Sequence, residues 1–201
     1  LLSADGAENN NVAIGPGSMG NANNDSTEKN VAIGRNAGLG GTGELDRNVA
    51  IGAYAMDGTG TIAGQQNIFI GDNAGGGSWT TAASNSNVAI GATAMSAALN
   101  GALGNTALGH DTLKALTTGD YNVAIGYQAG DAITTGVENV AIGRGALTNE
   151  DTNGGNVAIG RFAGPNNKAT GNIYVGYNTG YNNVSGIENV IIGYESVSQT
   201  T

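Results

Sequence analysis

Eleven times along the chain an asparagine is followed by three residues, mostly Val-Ala-Ile, and then by a glycine. The asparagines are Asn11, Asn30, Asn48, Asn67, Asn87, Asn105, Asn122, Asn139, Asn156, Asn172 and Asn189, and the glycine four residues on runs from Gly15 to Gly193. Successive asparagines lie 19, 18, 19, 20, 18, 17, 17, 17, 16 and 17 residues apart. A pentad this short cannot bury its own apolar face, so neighbouring repeats have to stack. The expected architecture is an all-β, parallel β-solenoid of about eleven coils.

Within a pentad, Val and Ile are strong strand formers, and alternation puts positions two and four on one face and Asn, the middle residue and Gly on the other. The aliphatic face hardly varies: position two is Val or Ile except at Thr106, and position four is Ile except at Leu108 and Val175. The middle position is Ala in eight repeats and Phe69, Tyr174 or Ile191 in three. Two arrangements satisfy this pattern. Either the Val/Ile row fills the coil and the Ala row meets neighbouring chains, or the Ala row fills a very narrow coil and Val/Ile line a contact between chains. The first is preferred at this point, because Phe69 and Tyr174 would overfill a narrow interior.

A second register mark lies three residues beyond each Gly, always a small side chain (Ala37, Ala55 and Ala129 among them) and often followed by Met or Leu. A second short strand is expected there. Gly at the pentad end suits a corner, and runs such as Thr117-Thr118-Gly119-Asp120 read as return turns. A helical solenoid is disfavoured by Gly and β-branched residues inside every repeat.

No change in composition divides the repeats, so residues 1–201 read as a single array, an excerpt of a longer fibrous chain. The net charge of −9, with 7 scattered Lys and Arg, argues against nucleic acid and anionic membrane partners. There is no Cys, hence no disulfide framework. No apolar run approaches the roughly 20 residues of a membrane span, so no membrane insertion by this segment is expected. So little large apolar volume in a thin coil favours association with further copies.

Enzyme chemistry needs convergent polar groups, and few are offered. His110 beside Asp111 reads as a solvated corner, and the Gly-rich stretches lack the Lys-Ser/Thr context of a phosphate loop. Neither an EF-hand nor a Gly-Gly-x-Gly-x-Asp series accompanies the turn aspartates. No catalytic residue, metal or cofactor is expected. The Asn column reads as a structural ladder of stacked amides. The longest interval, 72–86, carries the only Trp, so Trp79 is a candidate surface contact, as are Tyr127, Tyr177 and Tyr194 in the position after the pentad Gly.

The phased Asn-Val-Ala-Ile-Gly pentads, with a small residue three positions on, resemble the head repeats of trimeric autotransporter (YadA-like) adhesins and related phage tail-fibre segments. The similarity covers residues 9–197. It implies a left-handed β-roll, three chains about a common axis (a homotrimer), and a place outside the cell or on a virion tail fibre. The function it implies is a non-enzymatic structural and adhesive module that presents loops to a host-surface glycan, a host protein or a matrix. Two other readings stand beside it: a self-assembling extracellular filament or sheath subunit, and an ice-binding solenoid, for which a phased Thr row is lacking.

Overall fold

The structure, a computed structural model, describes residues 10–21 and 27–197. Each pentad contributes one three-residue strand: Val12–Ile14, Val31–Ile33, Val49–Ile51, Ile68–Ile70, Val88–Ile90, Thr106–Leu108, Val123–Ile125, Val140–Ile142, Val157–Ile159, Ile173–Val175 and Val190–Ile192. They pair in chain order into one parallel sheet of 11 strands, a solenoid in which each turn of chain returns to start the next rung. The register holds throughout, with Val140 between Val123 and Val157 and Ala141 between Ala124 and Ala158. There is no helix among the described residues.

Peptide groups bond alternately up and down the stack. The Val123 N–H donates to the Asn139 carbonyl at 2.8 Å, and the Gly126 N–H donates back to Leu108 at 2.8 Å. At rung spacing of about 4.8 Å the corner admits no side chain. Gly91, at φ +141°, illustrates this: an added Cβ would lie 2.3 Å from the Gly109 carbonyl oxygen.

The interior is the reverse of the arrangement preferred from sequence. Ala32, Ala50, Ala89, Ala107, Ala124, Ala141 and Ala158 are buried, whereas the Val/Ile row faces outward, with Ile14, Leu108, Val190 and Ile192 exposed. Phe69 and Tyr174 also point inward and are fully buried. They fit because the facing position, four residues beyond the pentad Gly, shrinks to compensate. Opposite Ala50, Ala89, Ala107 and Ala141 stand Met56, Met95, Leu113 and Leu147, but opposite Phe69 stands Gly75, where a Cβ would meet the ring at 2.7 Å. Tyr174 lies against both Gly164 and Gly180. In these layers one large group faces one small one; where both are small, as at Ala124 with Gly130 and Ala158 with Gly164, neighbouring side chains (Leu113 and Ile133, and Tyr174) lie against the glycine, which keeps the thin interior close-packed.

The anticipated second strand after the pentad is instead a run of turns. Residues such as Tyr54, Met56, Thr93 and Leu113 take φ between +48° and +58° there. Left-handed backbone costs a non-glycine residue about 1 kcal/mol or more. It persists because those peptides are tied to the coils on both sides: Tyr54 N–H to Arg35 O, Met56 N–H to Ala74 O. A second, shorter parallel pairing, Leu45–Asp46 with Gly64–Gln65, precedes the Asn rather than following the Gly.

Candidate interaction surface

Three columns run the length of the sheet, set by the alternation of the pentad. The first is the Asn column, and it lies inside. Asn30, Asn48, Asn67, Asn87, Asn105, Asn122, Asn139, Asn156 and Asn172 are all buried. Asn122 shows the geometry: its Oδ1 accepts the Asn139 backbone N–H at 3.0 Å and the Asn139 Nδ2 at 3.1 Å, while its own Nδ2 donates to Asn105 Oδ1 at 3.1 Å and to the Gly136 carbonyl at 2.8 Å. Each amide therefore joins three coils. Asn11 and Asn189 lie at the two ends of this ladder, at the start of the first strand and of the last. None of the buried amides is presented to a ligand.

The second column is the outward Val/Ile row, an apolar stripe two residues wide on every rung. Eleven rungs at about 4.8 Å make it roughly 50 Å long and, at about 10 Å wide, on the order of 500 Å². Contiguous apolar patches of that size on a soluble surface mark a contact with something else.

The third column follows the pentad Gly and borders this stripe. Tyr127, Tyr177 and Tyr194 all belong to it. Tyr127 and Tyr194 are exposed and Tyr177 is half-buried. The structure joins them into one stacked series. The His110 ring lies on Tyr127 (5.6 Å, 22°), Arg144 lies over Tyr127 at 5.8 Å, Arg161 lies over Tyr177 at 5.3 Å and donates from an Nη to its hydroxyl at 3.2 Å, and Tyr177 stacks on Tyr194 (5.0 Å, 13°). Phe162 sits beneath both guanidinium groups, at 5.7 Å from Arg144 and 4.9 Å from Arg161. The recurrence of Arg and Tyr at this position is visible in the sequence; that the rings and guanidinium planes stack requires a repeat of about 4.8 Å.

Trp79 does not belong to this surface. It is 3% exposed, edge-on to Phe69 (6.3 Å, 84°), and an added Cβ on Gly64 would lie 2.8 Å from its ring. The indole of the longer repeat packs inward, over Gly64 of the preceding coil. The His110 and Asp111 pair is a charged corner: Asp111 Oδ2 lies 3.0 Å from His110 Nδ1, its Oδ1 lies 3.1 Å from Lys114 Nζ, and Thr93 donates to it at 2.6 Å. Partial burial pushes the Asp111 carboxyl up, but the Thr93 and Lys114 contacts outweigh it and hold it below the ordinary value.

One polar cluster escaped the sequence reading. Along the far wall the buried column Leu99, Leu116, Ile133 is continued by Glu150 and Asn167. Glu150 accepts from the Asn153 N–H at 2.9 Å and from Asn167 Nδ2 at 2.7 Å, and the Tyr174 hydroxyl donates to Asn167 Oδ1 at 3.0 Å. Burial raises the Glu150 carboxyl above its ordinary range against those hydrogen bonds. The cluster supplies partners for the one phenol inside the coil, whose own pKa burial pushes up to about 12. It has no opening to solvent through Glu150, Asn167 or Tyr174, all buried. No grouping of three or more His, Asp or Glu suited to a metal ion occurs among the described residues. Nor is any helix there long and apolar enough to cross a membrane.

No family model, curated protein or solved structure matches the chain.

Proposed function

We propose that the chain is a non-enzymatic structural and adhesive fibre module in which several copies join through their Val/Ile stripes into a rigid rod. The observation that carries this reading is the aliphatic stripe, interrupted only at Thr106, on the outside of an in-register parallel stack. A self-sufficient solenoid would present a polar face there, as antiparallel and solenoid sheets exposed to water do. Three copies about a common axis is the arrangement implied by the resemblance to YadA-like heads, and it would enclose all three stripes. The surfaces left outside are the turns of each coil, repeated along the rod, and these would meet a host glycan, a host protein or a matrix outside the cell or virion. Repetition would supply avidity where single contacts are weak.

The test is the mass of the particle in solution by light scattering, with chemical crosslinking. The reading predicts a discrete multimer of extended shape. A compact monomer at micromolar concentration would overturn it, and long filaments in electron micrographs would favour end-to-end assembly instead.

A further inference from the structure

Two cations stand one rung apart with no anion between them. The register that sets Val140 against Val157 puts Arg144 and Arg161, each in the place after the pentad Gly, at the same point of consecutive coils, about 4.8 Å apart along the rod. Like charges directly opposite on neighbouring strands destabilise a sheet. Acidic groups are plentiful, 16 Asp and Glu against 7 Lys and Arg, yet the carboxylate contacts among the described residues go to Lys29, Arg47, His110 and Lys114. In the two positions that follow the Gly, the nearest carboxylates are Asp111, two rungs before Arg144, and Glu195, two rungs beyond Arg161. Asp111 is already held by His110, Lys114 and Thr93. Asp131 lies further round the turn of the rung before Arg144 and accepts from Thr148 at 2.6 Å. Glu138 is on the far side of the aliphatic stripe, more than about 10 Å away along an extended strand.

The chain holds both guanidinium groups in place without satisfying them. Tyr127 and Phe162 lie against Arg144, and Phe162 and Tyr177 against Arg161, at 4.9 to 5.8 Å. Contacts of this kind contribute about 0.5–1 kcal/mol each at an exposed site, and they fix the planes. Of its five N–H groups Arg161 gives one to the Tyr177 hydroxyl, and Arg144 gives none to a described residue. Both residues are exposed, so the remaining N–H groups are open to a ligand. A planar fork ordered in advance matches the oxygens of an oxyanion at little further cost in side-chain freedom, and one anion across both forks would relieve their repulsion.

The rest of the column narrows what carries that anion. His110 and Tyr127 on one side, and Tyr177 and Tyr194 on the other, extend it to six consecutive rungs, about 24 Å. Their facing surfaces are taken up by one another, which leaves no slot between them for an apolar side chain of a peptide. What they offer is hydroxyl groups that both donate and accept, suited to a ligand rich in hydroxyls. With a net charge of −9, a bilayer or duplex broad enough to reach past the column would meet the acidic groups around it; a single narrow chain lying along the rod would not.

Resting on the adhesive module proposed above, whose turns stay outside while its stripes are covered, we infer that this column binds an acidic saccharide chain along the rod. A carboxylate or sulfate lies across Arg144 and Arg161, and sugar hydroxyls meet Tyr127, Tyr177 and Tyr194. Each copy in the multimer presents the column once, so a long polysaccharide engages several.

The test is retention of the assembled protein on immobilised polysaccharides at physiological salt, with dextran sulfate and polygalacturonate as acidic probes and dextran as the neutral one. Binding to an acidic probe and not to dextran is expected, and whether the sulfated or the uronate chain binds more tightly identifies the oxyanion. R144Q and R161Q, checked for folding by circular dichroism, should each weaken binding about tenfold or more, as the loss of a charge-assisted hydrogen bond implies. K168Q is the control: Lys168 belongs to the same coil as Arg161, is exposed and has no carboxylate partner among the described residues, but lies further round the turn. It removes the same charge and should leave binding unchanged. Equal losses in all three variants, or retention on dextran, would overturn the column as the site. Wild-type protein that assembles yet binds neither acidic probe would overturn the saccharide inference and leave the multimer standing. A monomer that still binds through Arg144 and Arg161 would overturn the multimer and keep the site. Equal binding to poly-glutamate, or tighter binding to DNA or phosphatidylserine vesicles, would overturn the saccharide as the ligand class.

Discussion

Removing one rung of the Asn ladder tests the account of what holds the coils together. In Asn122→Ala, the Asn139 backbone N–H and one Nδ2 hydrogen lose their acceptor, and both groups are buried. The Gly136 carbonyl and Asn105 Oδ1 each lose one donor. An orphaned buried donor costs about 1–3 kcal/mol, so two of them, with the small void left by the amide, sum to about 3–5 kcal/mol. Asn122→Asp should not rescue the loss: it keeps the acceptor for Asn139 but turns a second carboxylate oxygen onto Asn105 Oδ1 and the Gly136 carbonyl in a buried site. Asn189→Ala is the internal control. Among the described residues it accepts no bond from a further rung, and it donates to Asn172 Oδ1 from a partly buried position, so its loss should cost about 1 kcal/mol or less. The assay is urea unfolding followed by circular dichroism, with hydrogen exchange at the Asn139 amide to locate the damage. Equal costs at Asn122 and Asn189, or full protection of the Asn139 amide in Asn122→Ala, would refute the ladder as the joint between coils.

Two further outcomes follow from the interior. Gly75→Ala should destabilise by about 2–4 kcal/mol, because its Cβ would overlap the Phe69 ring and its φ of +61° disfavours a side chain; in a Phe69→Ala background the steric part should vanish, which a double-mutant cycle by thermal or urea unfolding would measure as strong coupling. Glu150 sets a pH trend: its carboxyl is raised in the folded chain, so the folded state binds that proton more tightly than the unfolded one. Its stabilisation is therefore fully present below the ordinary value of 4.5 and is lost as pH rises through the folded value. Melting temperature should climb as pH falls from neutral towards 5, and a slope unchanged in Glu150→Gln would assign the trend elsewhere.

The stack itself was readable from sequence because Asn, the aliphatic pair and Gly recur in phase, and only parallel coils let identical residues meet. Which face lies inside was not readable from the pentad, since alternation separates two faces without saying which one is covered. The deciding signal lay in a longer-range pairing: Phe69 with Gly75 and Tyr174 with Gly180, against Ala50 with Met56 and Ala107 with Leu113. Volumes that compensate in this way belong to one packed layer, so both positions are interior. Trp79 was misplaced for a related reason. A long repeat reads as a surface loop, but here the ring turns in against Phe69 and over Gly64. The left-handed residues Thr93 and Leu113 are marked only by their columns, which hold Asn36, Asn73 and Gly145, and Gly38, Gly75 and Gly130, in other coils; at Thr93 and Leu113 themselves hydrogen bonds to adjacent coils hold that backbone. Stacking of Arg144 and Arg161 on Tyr127, Phe162 and Tyr177 likewise needs rung spacing that composition does not encode.

Thiol reactivity at two adjacent positions tests most directly whether the small row is inside and the aliphatic row is covered by another copy. In a chain without cysteine, Ala124→Cys and Ile125→Cys report the two faces of one strand. Position 124 should resist maleimide at every protein concentration while the chain is folded; position 125 should react when the protein is dilute and become protected as concentration rises. Reaction at 124 with permanent protection at 125 would reverse the interior, and reaction at 125 indifferent to concentration would contradict a stripe buried by self-association.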